Sequence, residues 1–174
     1  MKPALTTTLC ILLIACNPFS FSVGPVGKAL REEIREKRNM EVDLKKIISF
    51  AWDELYLFGP YTPQEEVCKQ LHLTDLQCSH QVSVVSTDDV VMFLVFRHKG
   101  EIVHTEMHSR FNGDFTPLDY PQPITPQRAR FLVEEERKSS RGGRWLKLRP
   151  ASEATRSNNA FNTDLRVAAR PSAV

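Results

Sequence analysis

The sequence lacks the long apolar run that a transmembrane helix requires. Its longest mostly apolar stretch, Ala4 to Ala15, is twelve residues long, whereas a helix needs about 20 residues to span the roughly 30 Å hydrocarbon core of a bilayer. The sequence also has no Gly-x-Ser-x-Gly motif, no phosphate-binding loop and no catalytic Cys–His arrangement. We therefore predict no catalytic residues and no cofactor from motifs.

The first fifteen residues have the composition of a cleaved secretory signal peptide, because Lys2 precedes the short apolar run. The run ends in Leu13-Ile14-Ala15-Cys16, which resembles the bacterial lipobox. The resemblance implies cleavage before Cys16, attachment of lipid such as palmitate to its thiol, and acylation of the new amino terminus. The alternative is an ordinary cleaved signal peptide that leaves Cys16 free or disulfide-bonded.

The residue after Cys16 bears on the expected location. Asn17 stands where an Asp would resemble a signal for retention in the inner membrane. We therefore expect a protein of the bacterial cell envelope that is anchored by lipid in the outer membrane and faces the periplasm. Residues 16–27 then form the lipidated cysteine and a flexible tether, since two Pro and two Gly interrupt them.

The chain has only four cysteines. Cys10 would leave with the signal peptide and Cys16 would carry lipid, so Cys68 and Cys78 remain as an even pair. In an oxidising compartment this pair predicts a disulfide bond. The alternative is two reduced thiols packed in the core.

Charge is unevenly distributed along the chain. Residues 17–136 carry 13 Lys and Arg against 19 Asp and Glu, whereas residues 137–174 carry 9 against 2. The sequence thus predicts an acidic domain at residues 28–138 and a basic, largely disordered tail at residues 139–174. The tail could contact anionic lipid. Nucleic acid is an unfavoured partner, because Trp145 and Phe161 are the only aromatic residues there to stack on bases.

Hydrophobic periodicity predicts an α+β fold, with an antiparallel sheet of about three to four strands and helices packed on one face. The run from Val90 to Phe96 is uninterruptedly apolar, so we expect a central strand with both faces covered. The other predicted elements are helices at 28–38, 63–71 and 127–137, strands at 50–58 and 101–109, a proline-rich loop at 117–126 and a marginal strand at 144–148. The helix at 28–38 is predicted to be a solvated stalk, and Thr62 the N-cap of the helix at 63–71.

Part of the sequence resembles a family of small bacterial lipoproteins and related exported proteins of unknown function. The resemblance rests on Phe50-Ala51-Trp52-Asp53-Glu54-Leu55-Tyr56 followed by Phe58-Gly59-Pro60-Tyr61-Thr62. It continues through the apolar strand at 92–96, the Lys-Gly turn and the stretch from Arg110 to Phe115. It implies an envelope lipoprotein but no activity.

Two groups of side chains are candidates for a functional site. Alternation places Trp52, Tyr56 and Phe58 on one strand face with Phe50, and Tyr61 follows in the next turn. This aromatic face either fills the core, which is the favoured alternative, or binds a partner. The second group is a candidate metal site of His98, His104, Glu106 and His108, whose alternative is the polar exposed face of an edge strand.

These observations predict a non-enzymatic binding or accessory protein that contacts an envelope protein partner through its sheet edge or aromatic face. The alternative function is a metal-dependent or enzymatic envelope factor that uses the cluster of His98, His104, Glu106 and His108.

Overall fold

The computed structural model describes residues 24–138 and 144–151. Six strands form two antiparallel sheets of three strands each, and four short helices accompany them, which confirms the α+β class. The strands are β1 Glu41–Asp43, β2 Glu54–Phe58, β3 Val91–His98, β4 Glu101–Ser109, β5 Arg130–Lys138 and β6 Arg144–Pro150. The helices are α1 Pro25–Arg31, α2 Leu44–Ile47, α3 Gln64–Gln70 and α4 Asp75–Gln81. Within the described ranges, no helix is long and apolar enough to cross a membrane.

The first sheet has the order β2-β3-β4, with β3 in the centre as predicted. Every residue from Val91 to Phe96 is buried, because both faces of the sheet are covered. The tight turn between β3 and β4 places Lys99 at a φ of 52° and Gly100 at 85°. Two successive positive φ values match the right-handed twist of a hairpin, which explains the Lys-Gly pair at this point.

The two faces of the first sheet belong to two different cores. On one face, Leu55, Leu94 and Phe96 pack with α1 and with the second sheet; we call this the first core. On the other face, Tyr56 and Phe93 pack against α3 and the segment after α4; we call this the second core. Helices therefore cover both faces of this sheet rather than one.

The second sheet has the order β1-β5-β6 and corrects the prediction of a helix at 127–137. From Ala129 to Glu134, buried positions alternate with more exposed ones, and Phe131 is fully buried in the first core. This period of two is that of a strand. The neighbouring strand β6 lies in the segment assigned to the tail and extends beyond the marginal strand predicted at 144–148, with Leu146 and Leu148 buried.

The first helix begins at Pro25, inside the segment predicted as a flexible tether. It continues through a π-helical turn at Glu32–Glu36. Val26, Leu30 and Ile34 repeat at a spacing of four and are all buried in the first core. The prediction of a solvated stalk is therefore wrong, since one side of this helical segment is buried in the first core.

The third and fourth helices form a disulfide-linked pair. Cys68 of α3 is bonded to Cys78 of α4, as predicted, with an S–S distance of 2.06 Å. Helix α3 agrees with the predicted helix at 63–71, but Thr62 does not cap it, because the Thr62 hydroxyl donates to the Gly59 carbonyl at 3.0 Å. Helix α4 was not predicted, although Thr74 and Gln77 form a capping box that the sequence contains.

Candidate functional site

The predicted aromatic face is divided between the two cores. Trp52 precedes β2 and packs edge-on against Phe96 of the first core, with ring centroids 5.5 Å apart. Tyr56 and Phe58 lie within β2 and point into the second core. The predicted common face is wrong because β2 begins only at Glu54, so strand alternation does not extend back to Trp52.

Three of the four predicted binding residues are buried. The exposed fractions of Trp52, Tyr56 and Phe58 are 8%, 6% and 2%, so their rings contribute to packing and line no open groove. Tyr61 differs, since 58% of it is exposed and its φ is 62°. Its backbone N–H donates to the Ser86 carbonyl at 3.0 Å, which fixes the turn that presents the ring to solvent. Tyr61 is thus the one member of this group that is accessible to a partner.

The histidine and glutamate side chains of β4 share a face, as alternation predicts. His104, Glu106 and His108 pair with Phe96, Leu94 and Met92 of β3, which all belong to the first core. A β-bulge between Phe96 and Arg97 shifts the register, so Ile102 packs on the second core instead. The alternative prediction of an exposed polar face is also wrong, because Glu106 and His108 are buried.

Glu106 binds the start of α1. Its carboxylate accepts hydrogen bonds from the backbone N–H groups of Val26 at 3.0 Å and Gly27 at 2.7 Å, and lies 3.1 Å from His104 Nε2. A carboxylate is stabilised there by the unpaired N–H groups at the helix start and by the helix dipole. A Cβ atom at position 24 would overlap this carboxylate, so the contact requires Gly24. Glu106 therefore holds the helix on β4.

His108 is the most buried ionisable group of this row, with 1% of its surface exposed. Its Nε2 lies 2.8 Å from the Gly113 carbonyl, which can only accept, so Nε2 carries the hydrogen. Burial lowers the pKa of His108, although the Gly113 carbonyl and the charges of Glu106 and Asp114 act in the opposite direction. His108 is thus a neutral core residue.

The four predicted metal ligands are not brought together. His98 lies at the hairpin turn, where its Nδ1 is 3.5 Å from Asp53 Oδ2. His104 and Glu106 do contact one another, with 3.1 Å between His104 Nε2 and Glu106 Oε2. Within residues 24–138 and 144–151, no group of three or more His, Cys, Asp or Glu side chains could hold a metal ion.

The densest polar cluster is centred on Asp114, which the sequence analysis did not identify. This fully buried carboxylate receives hydrogen bonds from Arg110 Nε at 3.0 Å, the Thr116 backbone N–H at 3.0 Å and Trp145 Nε1 at 2.8 Å. Lys147 Nζ lies 2.9 Å from Asp114 Oδ2. Burial alone would raise the pKa of Asp114, but the hydrogen bonds from Arg110, Thr116, Lys147 and Trp145 outweigh it, and the pKa is lowered.

The Asp114 cluster connects the segment after β4 to strand β6. Arg110, Thr116, Trp145 and Lys147 all contact the Asp114 carboxylate, and Arg110 also lies over the Trp145 ring at 5.2 Å from its centroid. The backbone of Asp114 pairs with β6, through hydrogen bonds to Leu146 and Leu148. The Asp114 carboxylate and backbone therefore both bind β6.

A groove of about 480 Å³ lies between α3 and α4, beside the disulfide bond. Its lining carries side chains of both charges and consists of Gln64, Glu65, Cys68, Lys69, Leu73, Asp75, Cys78 and Ser79. The two cysteines in its lining are bonded to each other.

Comparisons with protein-family models, with curated proteins and with solved structures give no match to this chain. The lipoprotein resemblance of the sequence therefore stays a prediction. Cys16, the predicted signal peptide and most of the predicted basic tail lie outside the described residues.

Proposed function

We propose that this chain is a lipid-anchored protein of a bacterial cell envelope that acts by binding a partner rather than by catalysis. The observation that carries the proposal is the disulfide bond between Cys68 and Cys78. Disulfides persist in oxidising compartments such as the periplasm. The bond thus supports export, and the lipobox-like Leu13-Ile14-Ala15-Cys16 supports anchoring through Cys16.

The use made of the buried ionisable groups supports binding over catalysis. Glu106 holds the start of α1, Asp114 joins β6 to the segment after β4, and His108 is neutral in the core. A catalytic acid or base must reach a substrate within hydrogen-bonding distance. Since each of these groups is covered by the protein that it stabilises, none is placed to do so.

The anchor would hold the folded domain close to the bilayer. Only residues 17–24 separate Cys16 from the start of α1 at Pro25. Eight extended residues span at most about 29 Å. The basic residues between 152 and 174 would then lie within reach of anionic lipid headgroups, and the partner would be another protein of the same membrane surface.

The experiment that tests the proposal is labelling with a radioactive fatty acid in a bacterial host. The wild-type chain should incorporate label, and Cys16→Ser should incorporate none and accumulate as an unprocessed precursor. Cys10→Ser is the matched control, because it removes the other thiol of the same segment and should be labelled like the wild type. Label that remains on Cys16→Ser would refute the lipid anchor.

A further inference from the structure

The outer edge of β4 is unpaired among the described residues. The opposite edge of the same sheet is covered, since Leu55 exchanges backbone hydrogen bonds with Ile124 and the Gln122 side chain bonds to both the N–H and the carbonyl of Leu57. In residues 24–138 and 144–151, no hydrogen bond reaches the outer side of the nine-residue strand β4. A long free edge is a template for pairing with another strand.

The hydrogen-bonding pattern identifies which groups point outward. Arg110 N–H donates to the Val90 carbonyl, so His104, Glu106 and His108, which precede it at alternate positions before the bulge is reached, bond to β3. By alternation, the backbone groups of Thr105, Met107 and Ser109 point away from the sheet. Thr105 is exposed, Met107 is half-buried, and 46% of Val103 is exposed at the bulge.

We propose that β4 pairs with β4 of a second copy of this chain, antiparallel and centred on Thr105, to form a continuous sheet of six strands. In this register Thr105 lies opposite its own copy, and Val103 lies opposite Met107. Thr–Thr pairs and pairs of apolar side chains directly opposite each other stabilise antiparallel strands. The register thus places the exposed Val103 and the half-buried Met107 of the edge against each other.

The position of α1 is compatible with this dimer. Its start is bound to Glu106, one residue from the proposed centre, and Ile34 at its other end lies near Gly113, beyond the end of β4. The helix therefore runs away from Thr105, and the helix of the second copy runs in the opposite direction. A two-fold axis perpendicular to the sheet keeps both helix starts on the same side. The two chains could then be anchored in one bilayer, although the pairing does not depend on the anchor.

Disulfide trapping tests the register in the full-length chain in bacterial envelopes. Residues opposite each other in a hydrogen-bonded antiparallel pair have Cα atoms about 5.5 Å apart, within the range of a disulfide. Thr105→Cys should therefore yield a covalent dimer under mild oxidation. Val103→Cys is the matched control: its own copy lies four residues away in this register, about 14 Å, so it should remain monomeric.

Sedimentation of the purified chain is an independent measurement. Thr105→Lys places two positive charges opposite each other and should convert a dimer to a monomer, whereas Val84→Lys, exposed and outside β4, should leave the dimer intact. A monomeric wild type, or equal trapping of the two cysteine variants, would overturn the proposal. A disulfide from Thr105→Cys to another protein would also overturn it. So would a disulfide between the two introduced cysteines within one chain of the double variant Thr105→Cys, Phe21→Cys, because the edge would then have a different occupant.

Discussion

Replacing Asp114 by Asn removes the charge at the centre of the buried cluster and keeps the shape of the side chain. The carboxylate is fully buried and forms ion pairs with Arg110 and Lys147. Only 19% of the Arg110 side chain and 10% of the Lys147 side chain are exposed. Breaking a buried pair by neutralising one member leaves an uncompensated charge and costs about 3–5 kcal/mol. Since domains are stable by about 5–15 kcal/mol, Asp114→Asn should be severely destabilising.

The assay is urea unfolding followed by tryptophan fluorescence at several pH values. The lowered pKa of Asp114 means that its contribution is fully present above the pKa of an unfolded Asp, about 3.9, and is lost as the pH falls through the folded-state pKa. The stability difference between wild type and Asp114→Asn should therefore be constant from pH 8 to pH 5. It should shrink below about pH 4.

Asp119→Asn is the matched control, because Asp119 is an exposed carboxylate in the loop five residues later. Its effect should lie within about 0.5 kcal/mol of zero. The reasoning would be refuted if Asp114→Asn unfolded within about 1 kcal/mol of the wild type. In that case the net attraction within the cluster would be too small to specify how the two sheets are joined.

Two further predictions concern the cores. Trp52→Ala should lower the free energy of unfolding in urea by about 3–5 kcal/mol, because Trp52 is buried against Phe96. The control Tyr61→Ala should change it by less than about 0.5 kcal/mol. An unchanged urea midpoint for Trp52→Ala would contradict the burial of Trp52. The lowered pKa of His108 means that only the unfolded chain takes up its proton just below pH 6.5, so stability should fall with decreasing pH by up to about 1.4 kcal/mol per unit. His108→Leu should reduce this pH dependence in urea melts, whereas the control His80→Leu, on exposed α4, should not. An equal pH dependence of stability in both variants would show that His108 is not the source of that dependence.

The hairpin of β3 and β4 was predictable from the sequence, because an apolar run and a Lys-Gly turn are local signals. Strand β5 was not, since Glu134 to Glu136 and the flanking arginines are residues that also favour helices. Its strand conformation is decided by pairing with β6 and with β1, which lies far from it in sequence. Strand propensity depends on such tertiary context more than helix propensity does.

The sequence placed His104, Glu106 and His108 on one face correctly but could not say what covers that face. The answer lies about 80 positions earlier, where the N–H groups of Val26 and Gly27 bind Glu106. Polar residues at alternate positions of a strand usually indicate a solvent-exposed face. The same pattern arises when the backbone N–H groups at the start of a helix bind a polar side chain of that face. The residues beside Gly24 and Pro25 were interpreted as a tether because Gly and Pro interrupt regular elements, yet Pro is also favoured in the first turn of a helix.

The segment from Arg110 to Asp114 explains why the two sheets share one core. At its start, the Arg110 backbone N–H bonds to the Val90 carbonyl, which attaches the segment to the first sheet. At its end, the Asp114 backbone pairs with Leu146 and Leu148 of the second sheet. Between them, Gly113 adopts a φ of 130°, and a Cβ there would meet Leu148 Cδ1 at 2.8 Å. The turn requires glycine at position 113, and the buried Asp114 carboxylate requires Arg110 as its partner. Residues 110–114 therefore determine locally how the segment after β4 contacts β6, which lies far away in sequence.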